Sequence, residues 1–399
     1  MPEQPHANRI GRNIYGSRHF TALPGRDAAR GLLGEIVGGA CHAMPQPPRF
    51  PLTLYGGGDL GRLARDYFQA LGQGIDLVVD RNAAALRSDP FWQGVRIAPP
   101  DEVSAEAKQA AQLVLCVATA PYKPLEADLA ADGWRDIIPF YDIAESQRHR
   151  HPLSNGWFAA PLDEMEQARV ATVLDGWDDD MSRAHHLQFL AWRLLREEWT
   201  FDGAPVTRDD RFFIPEVMAH AAGFRVFVDA GAHHGNVTRT FAGLCPDFTS
   251  IVAIEPDAEN VAVFQHKVPS DVADRITLLP VALGADTAEQ SFHRGLGYAS
   301  QFSGTGQDRM QAVPLDSLNL APDFVKLHLE GAEHDALWGA RQTIRDHRPV
   351  LAVTTYHNAD GLWRTPAMMM ALDDYRCIMR LHSWCGTGAV VYAFPREKE

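Results

Sequence analysis

Val226–Thr238 reads VFVDAGAHHGNVT: an apolar run closed by Asp229, a turn holding Gly231 and Gly235, then residues suited to opening a helix. A short β-favouring run that meets a glycine turn describes a buried strand handing over to a helix. Glycine at such a turn leaves no Cβ between the backbone and a bound ligand. About 20 residues beyond the turn, a second apolar run, IVAIEP, ends in Glu255. A carboxylate there can accept hydrogen bonds from both hydroxyls of a ribose. Strand, turn and strand-terminal acid together predict a nucleoside pocket. The turn lacks three phosphate-spaced glycines, which disfavours a dinucleotide at this place.

Outward from this turn, apolar runs recur at Val226–Val228, Ile251–Ile254, Ile276–Leu283, Phe324–Leu329 and Val350–Thr355, with helical stretches between them. Strands joined by crossovers imply a parallel sheet. Tyr375–Leu381 and Ala389–Phe394 follow with only a short glycine-containing link, which predicts a hairpin and one antiparallel strand.

In the fourth run, KLHLEGAEH puts Lys326, His328 and Glu330 on one strand face by period two. That strand ends at the carboxyl edge of the sheet, where open α/β folds bind ligands. Lys326, the deepest, is expected to be an ion-pair partner. Glu330 begins the strand-to-helix turn, either in the site or capping the helix that starts near Ala332. His328 reads as a general base titrating near neutral pH, as a metal ligand, or as a packed core histidine. His357 follows the next strand and faces the same edge. A divalent metal held by His328, Glu330 and His357 is a further alternative. Glu333 and His334, on the following helix, read as surface residues. Gly295–Ser303, GLGYASQFS, is either a loop closing over the ligand with Tyr298 and Ser300 facing it, or a plain connection.

The N-terminal half carries a second glycine turn. YGGGDLG gives Gly56, Gly58 and Gly61 after the apolar Leu52–Tyr55 and before a helical pattern at Leu60–Leu71; Ile75–Val79 then leads to Asp80. That is the context a dinucleotide fingerprint requires. Further strands are expected at Leu113–Ala118 and Asp136–Tyr141, and an amphipathic helix at Gln188–Trp199. Residues 1–50 read as an extension and linker, 51–149 as a small Rossmann-like α/β domain, 150–222 as a helical connector, and 223–399 as the domain of the first turn. The Rossmann-like unit binds a nucleotide or serves as a scaffold or homodimer contact.

The 399 residues carry a formal net charge of −14, with 46% hydrophobic and 22% charged residues. The composition is that of a globular chain. No Lys/Arg block could follow a phosphate backbone, so no nucleic-acid partner is expected. The polar N-terminus and the lack of an ~18-residue apolar run predict neither a signal peptide nor membrane insertion. Five cysteines without a CxxC pair indicate neither a disulfide framework nor a zinc knuckle, which suits a cytoplasmic setting.

FVDAGAHHGN, VAIEPDAEN, LLPVALG, VPLDSL and FVKLHLEGAEHDALWGA, with the following RPVLAV, resemble the successive motifs of FkbM-type methyltransferases, over about residues 225–395. The resemblance implies a class I methyltransferase fold, a seven-stranded sheet with an antiparallel hairpin end. It also implies S-adenosylmethionine as cofactor. Asp229, Gly231, Gly235 and Glu255 would contact it, with Ala232 and His234 on the same loop, Asp229 accepting from the methionine ammonium, and Ala282 near adenine. Family members mostly methylate hydroxyls of sugars, polyketides or other small metabolites, which implies a small-molecule hydroxyl acceptor. His328 departs from the family, which commonly shows an acidic residue there. The expected activity is O-methylation, with His328, Glu330 and His357 as candidate catalytic residues. The rivals are an NAD-dependent oxidoreductase using Gly56–Gly61 and a non-catalytic S-adenosylmethionine-binding protein.

Overall fold

The computed structural model describes residues 15–41, 43–153, 157–293, 301–302, 306 and 308–396. Tyr298, Ser300 and most of the Gly295–Ser303 segment lie outside the described residues.

Seven strands form the main sheet: β1 Val226–Ala230, β2 Ser250–Ile254, β3 Ile276–Leu279, β4 Phe324–Leu327, β5 Val350–Thr354, β6 Tyr375–Leu381 and β7 Ala389–Pro395. Their order is β3-β2-β1-β4-β5-β7-β6. All run parallel except β7, which is antiparallel to both its neighbours. This is the expected class I methyltransferase sheet with its hairpin end. Chain order reverses between β1 and β4, whose ends sit side by side, Leu327 opposite Ala230. A crevice at such a reversal is where open α/β sheets bind ligands.

Alternation along the strands divides the core in two. One face stacks Phe227 on Phe241 and Phe324, with ring centroids 4.3 and 5.0 Å apart, and Phe224 on Phe324 at 5.2 Å. The other face buries Val228, Ala230, Val252, Ile254, Val325 and Leu327 under aliphatic side chains.

The third apolar run does not remain one strand. β3 ends at Leu279, and Ala282–Leu283 pairs instead with Asp308–Val313 in a separate four-stranded sheet. Pro280 has no N–H for the ladder and breaks the run.

The N-terminal α/β unit has five parallel strands in the order Ile97–Ala98, Leu77–Val79, Leu52–Tyr55, Gln112–Leu115, Asp136–Pro139. Two expectations about the rest of this half need correcting. Residues 1–50 are more than a linker, since they contain the strand Gly16–Phe20 and the helix Arg26–Gly38. The expected helix at Gln188–Trp199 is Asp180–Leu195, ended by Arg196 in the left-handed conformation (φ 59°). Glu197–Phe201 is then a strand paired parallel to Gly16–Phe20. Its alternating EEWTF pattern satisfies period two once a partner strand is supplied from far upstream. No helix among the described residues is long and apolar enough to cross a membrane.

Phe324 is fully buried at the centre of the aromatic layer. Phe324→Ala is expected to cost about 3–5 kcal/mol. Urea unfolding checks it, the midpoint shift multiplied by the m-value giving the loss.

Candidate active site

The turn after β1 is built from backbone contacts that only a glycine tolerates. Gly231 has φ 74°, and a Cβ there would stand 1.9 Å from the His328 carbonyl oxygen. The N–H groups of Gly231 and Ala232 both donate to Ile254 O, at 2.9 and 3.0 Å. Gly235, φ 77°, opens the helix Asn236–Leu244. A Cβ on it would lie 2.9 Å from the Phe264 ring. The loop is therefore locked against both neighbouring strands.

Above it lies a cavity of about 290 Å³. Gly231, Ala232 and His233 form one wall, Glu255 and Asn260 a second, and Val281 and Ala282 a third. His328, Leu329, Glu330, Arg211 and Phe212 close the far end. Glu255 Oε2 accepts from the His233 N–H at 2.8 Å, and Oε1 from the Asp257 N–H at 3.0 Å and Asn260 Nδ2 at 3.2 Å. Burial raises its proton affinity above the usual carboxylate value.

Asp229, expected to face the ligand, lies beneath the cavity instead. It is fully buried, with Thr238 Oγ1 donating at 2.6 Å and Lys326 Nζ at 2.9 Å to its two oxygens. Unlike Glu255, it does not line the cavity, so the ligand-facing role expected of it does not fit its placement. Lys326 is the ion-pair partner expected. His234 does not line the cavity; the preceding His233 does, and the two rings stack 3.6 Å apart. Gly235 acts through the loop and helix start, without lining the cavity.

His328, Glu330 and His357 come together as expected, but not on one strand face: β4 ends at Leu327, and a left-handed turn at Glu330 brings its carboxylate beside the two imidazoles. Glu330 Oε1 is 3.1 Å from His328 Nε2, and its Oε2 is 3.3 Å from His357 Nε2. Glu330 itself has φ 49°, a left-handed conformation that is costly for a non-glycine residue. His357 Nδ1 meets Glu333 Oε1 at 2.6 Å. Glu333 also accepts from the N–H groups of Leu329 (3.0 Å) and Gly331 (2.9 Å) and from Thr354 Oγ1 (2.8 Å).

Glu333 was expected at the surface and is buried, as is His334. The helix Glu333–Trp338 turns its first residues inward, against the loop after β4. No local signal marked this, because the partners that bury Glu333, Thr354 and His357, lie more than 20 residues away in the chain.

Electrostatics separate the four groups. Burial lowers His328 well below its ordinary value, and the nearby Arg211 charge lowers it further. His328 is therefore neutral, and the expectation that it titrates near neutrality passes to its neighbour. Burial pushes Glu330 up to about 7, against the opposing charge of His357. Burial would lower His357, but Glu330 and Glu333 outweigh it and raise the imidazole above its usual value. Burial would raise Glu333, but His357 and the three donors pull it down to about 2. The result is a carboxylate–imidazolium–carboxylate chain whose outer end, Glu330, opens into the cavity. The ligand atoms of His328, Glu330 and His357 also lie within 4.8 Å of one another, close enough to hold a divalent ion.

Residues 229–380 match the family profile described as "Methyltransferase FkbM domain". The chain carries a methyltransferase FkbM domain. Among solved structures, it is similar to a methyltransferase FkbM from Methylobacillus flagellatus KT, at 18% identity and TM-score 0.56, covering 94% of each chain. At that identity the likeness shows a shared fold. Two further similarities are to a precorrin-6y C5,15-methyltransferase from Geobacter metallireducens GS-15 and an O-methyltransferase of tomaymycin synthesis from Streptomyces achromogenes. The first has 15% identity and TM-score 0.29 over 48% of this chain and 96% of that one. The second has 14% identity and TM-score 0.31 over 45% and 77%. No curated protein matches the chain.

Outside the methyltransferase domain, the Gly56–Gly61 turn is packed against its own surroundings at Gly57 and Gly61 and open at Gly58. Asp80 Oδ2 accepts from the Gly57 N–H and Oδ1 from the Asn82 N–H, both at 2.7 Å. A Cβ on Gly57 would meet Leu86 at 2.2 Å, and one on Gly61 would meet Gly56 O at 2.1 Å. Close packing accounts for these two glycines, and Asp80 is already engaged by its own loop. The oxidoreductase reading gains no support.

Glu333 holds the charge on His357, so Glu333→Gln should lower the His357 pKa. The check is an NMR titration of the His357 imidazole; an unchanged midpoint in the folded variant would refute the coupling.

Proposed function

We propose that this methyltransferase binds S-adenosylmethionine in the cavity and methylates a hydroxyl of a small molecule, with Glu330 accepting the hydroxyl proton. Glu255 receives the ribose hydroxyls, the Gly231–His233 backbone follows the methionine portion, and Ala282 lies along the adenine. Bound there, S-adenosylmethionine would supply a sulfonium methyl group for in-line displacement by the acceptor oxygen, with S-adenosylhomocysteine as the neutral leaving thioether. The hydroxyl proton moves to the Glu330 carboxylate. Most of the acceleration in such a displacement comes from holding the reactants in line. The single observation that carries the reading is Glu330, the outer end of the buried chain, which lines the cavity beside His328. A group near pH 7 suits a general base at neutral pH. Neutral His328 orients that carboxylate, its own Nε2 lying 3.2 Å from the Tyr356 hydroxyl behind it.

A second reading uses the same three residues. A divalent ion on His328, Glu330 and His357 would bind the acceptor as its alkoxide. The Nδ1 contact of His357 with Glu333 is the outer support that metal-bound histidines usually have. A chelator separates the two: the general-base reading expects activity to survive it.

Three outcomes follow. Glu255→Ala removes charge-assisted hydrogen bonds of about 1.5–3 kcal/mol, so cofactor affinity should fall roughly 10- to 150-fold by calorimetry. Glu330→Gln should lower turnover by roughly 10²–10⁴ while cofactor affinity is kept. In the wild type, activity should rise with pH as Glu330 ionises, through a midpoint near its value of about 7. A flat profile over that range in a chemistry-limited assay would end the assignment to Glu330.

A further inference from the structure

The charged groups at the far end of the cavity are matched in pairs, with one exception. Lys326 pairs with Asp229 at 2.9 Å. His357 contacts Glu330 at 3.3 Å and Glu333 at 2.6 Å. Arg211 has no carboxylate within 4.0 Å among the described residues. Its Nη2 donates to the Tyr356 hydroxyl at 2.8 Å, and its Nε is buried without a hydrogen-bond partner. The guanidinium carbon lies 4.9 Å from the Phe212 ring centroid and 5.7 Å from that of Tyr356. Phe212, in the left-handed conformation at φ 71°, donates its N–H to the Tyr392 hydroxyl at 3.0 Å and fixes the turn that presents Arg211.

Arg211 is half-buried, with its Nε shut off from water and unsatisfied, and a guanidinium offers two parallel N–H groups that match a carboxylate or phosphate. Arg211 lines the cavity and bears on His328, Glu330 and Tyr356. It is not among the principal influences on Glu255 or His233. Its place is therefore at the reacting end, away from the ribose carboxylate.

We propose that Arg211 binds an anionic oxygen ligand, a carboxylate or phosphate carried into the cavity by one of the two reactants. The sources are the carboxylate of the cofactor's methionine and an acidic group on the hydroxyl acceptor. This rests on the methyltransferase reading given above and adds a charge requirement to it. The ligand supplies the counter-charge that the chain leaves out, and holds its carrier against the Phe212 ring.

Calorimetry on the full chain and its Arg211→Met and Arg211→Lys variants tests this. The probes are S-adenosylhomocysteine, its decarboxylated analogue, and inorganic phosphate or acetate added to protein saturated with S-adenosylhomocysteine. If the cofactor carboxylate is the ligand, Arg211→Met weakens S-adenosylhomocysteine 10-fold or more and leaves the decarboxylated analogue unaffected. If the acceptor supplies the anion, S-adenosylhomocysteine binds the variant as before, and the phosphate or acetate binding seen in the wild type is lost. Arg211→Lys keeps the charge without the fork and should fall between wild type and Arg211→Met; it serves as the reading if the methionine variant does not fold. The proposal is overturned if the variants leave both the discrimination against the decarboxylated analogue and the oxyanion binding unchanged. Failure of the wild type to bind either nucleoside would instead remove the methyltransferase reading of the cavity.

Discussion

One ammonium group underlies the cavity floor. Lys326 Nζ bonds Asp229 Oδ1, the Ala230 carbonyl and the Gly231 carbonyl at 2.9, 3.1 and 2.7 Å. It ties β4 to β1 where their carboxyl ends diverge, and it sets the direction of the glycine turn. Removing one partner of such a buried pair costs about 3–5 kcal/mol, because the other charge is left in low dielectric. Here the loss would fall on the loop that shapes the ligand site. The acid at the end of β1 is thus spent on holding the loop, and ligand contact is left to the backbone above it.

The second dependence runs through His357. An imidazole between two carboxylates keeps Glu333 ionised and leaves Glu330 close to its titration point, so two chemically identical side chains are pushed in opposite directions by their surroundings. Burial alone would raise both. The difference lies in the donors: Glu333 accepts from two backbone N–H groups and a threonine, whereas Glu330 meets only two imidazoles and the cavity. Backbone strain at Glu330 belongs to the same arrangement, since φ 49° turns its carboxylate back between His328 and His357.

Much of this was legible in the sequence. Five parallel strands and a terminal hairpin follow from apolar runs and the lengths between them, and the meeting of His328, Glu330 and His357 follows from their common sheet edge, although a left-handed turn rather than period two places Glu330. What escaped depended on partners distant in the chain. EEWTF pairs with a strand from the N-terminal stretch, and nothing local announces that. Asp229 reads as ligand-facing until the ammonium opposite it is placed, although Lys326 was already expected to be paired. Glu333 looked like a helix-surface acid because its burial depends on the loop carrying His357. The inversion between His328 and Glu330 is set first by burial, which lowers the imidazole and raises the carboxyl, and a motif does not encode depth.

The helix Asp180–Leu195 is buried from Ser182 through Leu195. On one side it packs beneath β6, where Ser182 Oγ accepts from the Met379 N–H at 2.9 Å. On the other, Trp192 stands 5.4 Å from Tyr122 of the N-terminal α/β unit. Between them, Arg193 donates to the carbonyls of Tyr356, Asn358 and Gly386, gripping the loop that carries His357. A helix with no solvent face cannot belong to one half alone. Recombining the catalytic sheet with a foreign N-terminal partner would therefore mean rebuilding the complete surface of this helix, so the two halves must change together over evolutionary time, each core substitution on one side constraining what the other can accept.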